Sequence, residues 1–115
     1  MKSPADPLEV TIARGNIYLA REVYESYFRD IESLALMPDE EGVLLIPLIQ
    51  QSAGGLLLKI KNLRGDRVVH AQEFWRQHGY AEEFAERTYP VRWKQDRAAL
   101  LLIGLLPSLH MTESD

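Results

Sequence analysis

The chain has 115 residues, 46% of them hydrophobic and 26% charged, with a formal net charge of −4. This length supports one domain with one modest core, and the composition excludes an intrinsically disordered chain. The absence of cysteine excludes disulfides, thiolate catalysis and cysteine-ligated zinc or iron–sulfur centres. Charge is unevenly spread. Residues 1–50 carry four basic and nine acidic side chains, and residues 51–115 carry nine and eight. A protein held to nucleic acid by nonspecific charge alone is normally basic overall, so such contact here has to use a local patch. MKSPADPLEV has no apolar run after its lysine and does not read as a signal peptide. The longest apolar stretch, residues 98–107, is far short of the roughly 20 residues that span a bilayer. No membrane contact and a cytoplasmic location are the expectation.

Residues 1–7 hold two prolines and no pattern, which predicts a flexible lead-in. Leu8, Val10 and Ile12 then alternate with Glu9, Thr11 and Ala13, the period of a half-buried strand. Arg14-Gly15-Asn16 predicts a tight turn, with Gly-Asn taking the positive φ. Ile17-Tyr18-Leu19 resumes extended structure. From Ala20 the period changes: Val23 and Tyr27, with Tyr24, Phe28 and Ile31, form one apolar helical face. Leu34 and Leu36 begin another strand, Pro38–Gly42 is a turn, and Val43–Leu48 returns. Pro47 predicts that this strand ends, or lies at an edge, nearby. Gln50–Gly55, QQSAGG, is a linker by composition.

The pattern then restarts. Leu56–Lys61 reads as a strand, Asn62–Asp66 as a turn, Val68-Val69 as a strand and Ala71–His78 as a helix with Gly79 as its C-cap. Glu82, Glu83 and Glu86 mark an insertion, expected to be an exposed helical turn. Val91 and Trp93 form a strand, Lys94–Arg97 a turn and Ala98–Leu106 the last strand, stopped by Pro107. The tail from 107 to 115 is polar and expected to fray.

The two stretches match each other. IYLAREVYESYF and VVHAQEFWRQHG both follow an Arg-Gly pair, Arg14-Gly15 and Arg64-Gly65. Ala20, Glu22, Val23 and Tyr24 align with Ala71, Glu73, Phe74 and Trp75. Leu34-Ala35-Leu36 aligns with Val91-Arg92-Trp93, and LLIPL with LLIGL, at one constant offset. The expectation is a single domain of two repeats, about 8–48 and 56–106, joined by a linker at 49–55. One unit of 40–45 residues is too small to bury a stable core alone, and interleaving two closes the sheet and removes exposed edges.

Each half reads strand, Arg-Gly turn, short strand, helix and closing hairpin. That order resembles the swapped-hairpin barrels of the AbrB and MazE families of transition-state regulators and antitoxins. Two units in one chain resemble the tandem MraZ arrangement. The best match is VTIARGNIYLAREVYESYF followed by IESLALMPDEEGVLLIPL, and the likeness covers roughly residues 8–106. It implies a mainly β fold with short helices (α+β), a pseudo-twofold AbrB-like β-barrel built from two internal repeats, and DNA binding. The chain departs from the family pattern by having Ala20 and Ala71 where proline is common, and Arg-Gly where Gly-Arg is usual. Of the helix arginines the family uses, only Arg76 has a counterpart position.

The strongest functional cluster is basic: Lys59, Lys61, Arg64 and Arg67, extended by Arg14 and Arg21 from the first half and by Arg76. Lys59 and Lys61 share a strand face, and arginines on a rigid strand-turn platform suit phosphate and guanine contact. The competing account is a solvated edge that discourages aggregation. Arg64-Gly65-Asp66 is read as a structural turn. His70, His78 and Glu73 lack the convergent spacing of a metal site, and no metal or cofactor is expected. Asp39, Glu40 and Glu41 sit in a turn without the apolar surroundings that shift a pKa; with no phosphate loop and no serine–base pair, an enzyme is not expected. Most of the aromatics Tyr18, Tyr24, Tyr27, Phe28, Phe74, Trp75 and Trp93 are assigned to the core by their spacing, with any exposed one marking a protein contact. Two functions follow: a small DNA-binding transcriptional regulator, or a non-enzymatic accessory factor that binds another protein. Either is compatible with a monomeric pseudo-dimer or a homo-oligomer.

Overall fold

The computed structural model describes residues 8–49, 55–80 and 86–107. The first segment opens with β1 (Glu9–Ala13) and β2 (Asn16–Leu19), paired antiparallel with Thr11 opposite Tyr18. Val10, Ile12, Ile17 and Leu19 face inward and are buried, as the alternation predicts. The hairpin turn differs by one residue from expectation. Arg14 (φ +55°) and Gly15 (φ +83°) adopt the left-handed conformation, and Asn16 already belongs to the strand. Two consecutive positive φ angles give the two-residue turn whose twist matches that of the flanking strands.

Helix α1 (Arg21–Tyr27) buries Val23, and Phe28 just beyond it is fully enclosed. A hairpin follows, β3 (Ser33–Asp39) with β4 (Gly42–Leu48), turning at Glu40 and Glu41. Pro47 lies inside β4 opposite Leu34, but the ladder from β4 to its other neighbour covers only Gly42–Leu45. At Pro47 the strand is therefore an edge on that side, where its missing N–H breaks nothing.

The expected strand at 56–61 is two short ones, β5 (Leu56–Leu57) and β6 (Lys59–Ile60), interrupted at Leu58. Leu58 turns inward and is buried, and its N–H donates to the Glu32 carbonyl at 2.9 Å. β7 (Arg67–His70), α2 (Gln72–Gln77), β8 (Arg87–Lys94) and β9 (Ala99–Ile103) complete the order. Gly79 follows α2 at φ +78°, as a C-terminal cap requires. The last strand is shorter than the apolar run: Ala98 takes φ +49° in the turn, and Gly104 (φ +91°) leaves the sheet with its N–H bonded to the Glu41 carbonyl at 2.8 Å.

The nine strands among the described residues form one antiparallel sheet in the order β5-β3-β4-β9-β8-β1-β2-β7-β6. Its two edges, β5 and β6, are consecutive in the chain and separated by Leu58 alone, so the sheet is a nearly closed barrel with two helices. The main core fills it with Val10, Ile17, Leu19, Val43, Leu45, Leu100 and Leu102 among others, and α1 and α2 add Val23, Phe74 and Trp75. Both faces of the β4–β9 pair are buried, because Leu44, Ala99 and Leu101 form a second cluster on the opposite side. That accounts for two unbroken apolar runs where alternation would otherwise be expected.

Phe28, Phe74 and Trp75 are buried, and Tyr27 stacks on Trp93 with centroids 5.5 Å apart. Tyr18, Tyr24, Tyr27 and Trp93 are half-buried, so none of these seven aromatics is fully exposed. The large exposed apolar side chains among the described residues are aliphatic or Met: Met37, Ile49, Leu57, Ile60, Leu63 and Leu106. No helix among the described residues is long and apolar enough to cross a membrane. The expectations for Glu82 and Glu83, and most of the linker and tail, lie outside the described residues.

Gly42 sits opposite Ile103, where a side chain would run into the Leu102 carbonyl. Backbone cannot yield there as a flexible side chain would. Gly42→Ala is expected to destabilise by about 3 kcal/mol, the upper part of the overpacking range, read as a lower urea midpoint with an unchanged slope.

Candidate nucleic-acid interface

The seven basic residues fall into three places. The first is the outward face of the β6-β7-β2-β1-β8 side of the barrel. Lys59, Val68, Tyr18, Thr11 and Thr88 are successive cross-strand partners and so share that face. Lys61, one residue past β6, is held in line by its N–H to the Asp66 carbonyl at 2.8 Å. Its Nζ lies 5.0 Å from the centroid of the Tyr18 ring, a cation–π contact. Arg14 reaches the same face from the β1–β2 turn. Arg14, Lys59 and Lys61 form no ion pair among the described residues.

The second place is the 62–66 turn against the start of α1. Asp66 is its centre. One oxygen accepts from the Arg21 backbone N–H at 2.9 Å, and the other from Asn62 Nδ2 and Arg64 Nη2, both at 3.0 Å. Neither end residue of α1 supplies a side-chain cap of its own, so Asp66 serves from across the fold. The donors hold its carboxyl down from 3.8 to about 2, with Asn62 the largest contributor, against partial desolvation. Arg21 pairs with Glu25 one turn on at 3.1 Å, and Arg64 pairs with Asp66 itself. Arg67 lies opposite Leu19, on the core-facing side of β7. Its guanidinium sits 3.8 Å from the Tyr24 ring centroid, with Nη1 bonded to the Gly65 carbonyl. Arg67 is thus a clamp between turn and helix, and does not share the face of Lys59.

The third place is α2, where Arg76 pairs with Glu73 at 3.2 Å in the last turn. Local acids therefore take up part of the charge of Arg21, Arg64 and Arg76. The sequence lists these cations, but ion pairing and side-chain direction decide which of them present free charge.

The residues that sequence reasoning missed are polar and neutral. Asn16 Oδ1 accepts from Gln72 Nε2 at 2.9 Å and meets His70 Nδ1 at 2.8 Å, while Asn16 Nδ2 donates to the Tyr18 hydroxyl at 3.1 Å. Gln72 also donates to the Arg14 carbonyl at 3.0 Å, and the Trp75 indole N–H donates to the Gly15 carbonyl at 2.9 Å. The β1–β2 turn is thereby fastened to the start of α2, as the 62–66 turn is to the start of α1. Asn16 opposite His70 follows from the β2–β7 register, which no local signal announces.

Asp39, Glu40 and Glu41 occupy the β3–β4 turn. Glu41 pairs with Arg92 at 2.8 Å and Asp39 lies 3.8 Å from Arg97. Among the described residues no group of three or more His, Asp or Glu side chains is placed to hold a metal ion.

Asp66 gives a pH signature. Its folded pKa is depressed, so its contribution is complete above the unfolded value near 3.8 and is lost as pH falls towards about 2. The wild type is expected to be more stable than Asp66→Asn by about 1–2 kcal/mol at pH 7, on the scale of a charged hydrogen bond and a lost cap. That difference should shrink between about pH 4 and pH 2 in paired chemical-denaturation curves. A pH-independent difference would contradict the role given to the carboxylate.

No family model, curated protein or solved structure matches this chain.

Proposed function

We propose that the chain is a small DNA-binding transcriptional regulator, built as two interlocked copies of one unit in a swapped-hairpin barrel similar to the AbrB, MazE and MraZ group. The pairing scheme supports the duplication. Exchanging β1 with β5–β6, β2 with β7, β3 with β8 and β4 with β9 turns the set of strand pairs into itself. β1–β8 becomes β5–β3, while β2–β7 and β4–β9 each map onto themselves. Leu44 stands directly opposite Leu101, its aligned counterpart, as a twofold axis through that ladder requires. Two shallow cavities also correspond: one is lined by Ala20, Glu22 and Val23, the other by Ala71, Glu73 and Phe74. In this reading the ladder registers equate Pro38 with Trp93, two residues from the alignment by sequence, a shift that leaves the β3 side chains on their own face, whereas the aligned Ile17 and Val68 lie on opposite faces and are one residue out of register.

The observation that carries the DNA reading is the outward face with Arg14, Lys59 and Lys61 free of ion pairs among the described residues. The two Arg-Gly turns flank it, because they precede opposite ends of the four-residue β2–β7 ladder. Such a ladder is roughly 10–14 Å long, comparable with the roughly 12 Å major groove of B-DNA. Arg14 holds a left-handed φ of +55° that glycine or asparagine would adopt at less cost, so a cation is kept there against local preference. Arg64 extends the face from the other turn. Arg67 acts by holding that turn, and Arg21 and Arg76 are peripheral. No catalytic step and no cofactor belong to this reading, and a cytoplasmic location goes with it.

The second reading keeps the barrel and replaces DNA with a protein partner. Leu57, Ile60 and Leu63, exposed at 58%, 70% and 106%, favour it because they fall within one short segment. Anisotropy with a labelled duplex separates the two. Binding is expected near 50 mM salt and should weaken by at least tenfold at 200 mM, through counterion release from several phosphates. Arg14→Glu and Lys59→Glu should each weaken it by about tenfold, and Arg67→Glu should lower thermal stability. Absence of association at low salt sinks the DNA reading, and a stoichiometric protein partner recovered without DNA supports the other.

A further inference from the structure

Arg14 and Lys61 come from turns at opposite ends of the β2–β7 ladder, yet both line one open cavity of about 520 Å3. Thr11, Ala13, Tyr18 and Glu86 complete its described lining. Three features give it the character of an anion seat. Both cations lack an acidic partner among the described residues, so their charge is available to a ligand. The Lys61 ammonium is already placed over the Tyr18 ring, which limits the side-chain entropy lost on binding. The Tyr18 hydroxyl accepts from Asn16 Nδ2, and Asn16 is itself fixed by Gln72 and His70. A phenol accepting in this way keeps its own proton for donation, and that proton has no acceptor among the described residues.

Two cationic donors and one hydroxyl donor around one space match an anion with several acceptor oxygens. The cavity also exceeds what a bare oxyanion fills, leaving room for the group it is attached to. We infer that it seats the phosphate group of a phosphate ester, with Arg14 and Lys61 meeting its charge and Tyr18 donating to one oxygen. Glu86, on the cavity wall, sets the limit on affinity by like-charge repulsion. The inference rests on the DNA reading where the ester is a backbone phosphodiester; a small free phosphate ester presents the same chemistry.

The test titrates the full chain with inorganic phosphate, following the Tyr18 ring and the Asn16 and Gln72 side-chain amides by NMR, against sodium chloride at matched ionic strength. Saturable shifts with phosphate and not with chloride are expected. Lys61→Gln should weaken phosphate binding about tenfold and Tyr18→Phe about fivefold, the range of charge-assisted and neutral hydrogen bonds. Glu86→Gln, at an exposed position, should strengthen it by about threefold, an exposed-pair magnitude with the sign reversed. On a duplex, Lys61→Gln should reduce the salt slope by about one and Tyr18→Phe should lower affinity at unchanged slope. Displacement of phosphate by the duplex assigns the seat to the backbone. Phosphate shifts without any duplex association keep the seat for a free ester and end the DNA reading. Duplex binding that all three substitutions leave unchanged, or identical shifts with chloride, overturns the seat.

Discussion

Each Arg-Gly turn is tied to the helix that follows the other one. The Arg14 and Gly15 carbonyls receive the Gln72 amide, the Ala71 N–H and the Trp75 indole, while Asp66 receives the first N–H of α1. These bonds span 45 to 60 residues of chain and satisfy groups that a seven- or six-residue helix has no means of satisfying alone. The short helices, the turn conformations and the outward face between them therefore form one cooperative arrangement. The Gly15 backbone must come close to α2 for this to work; a side chain there would meet Gln72, and its φ of +83° favours glycine.

Much of the barrel is legible because strand and helix periods differ so sharply here. Val10, Ile12, Ile17 and Leu19 alternate, Val23 and Phe28 do not, and the structure buries all six. The apolar runs at Val43–Leu48 and Ala98–Leu106 read as strands, and the structure covers both faces of the β4–β9 pair they form. Leu58 was not legible: a leucine in a run of leucines gives no sign that the strand breaks there. The same holds for Arg14, whose positive φ follows from the hairpin twist and not from its own preference. Pro47 was readable only as far as its missing donor reaches.

The site was legible as a list and not as a surface. Composition names the cations. It does not say that Asp66, Glu25 and Glu73 take up three of them, or that one-residue parity on β7 sends Arg67 inward to Tyr24 while Val68 faces out. Nor does it place Asn16 opposite His70. A chain of net charge −4 can thus still bring Arg14, Lys59 and Lys61 to one face, because many of its acids lie elsewhere, as Glu41 does beside Arg92. Field at close range depends on such local arithmetic far more than on the total.

The ladders β1–β8, β2–β7 and β4–β9 join residues some 50 to 80 positions apart. During ribosomal synthesis, which runs from the N-terminus, β1 and β4 are made long before Thr88 or Leu101 exists to cover them. Nascent chains of this topology carry bare strand edges for several seconds at ordinary elongation rates. The apolar row at Val43–Leu45 is the part of that edge most open to pairing between neighbouring nascent chains. Crowded polysomes are thus where this architecture is most vulnerable to going astray, and the late arrival of the second half is what ends the danger.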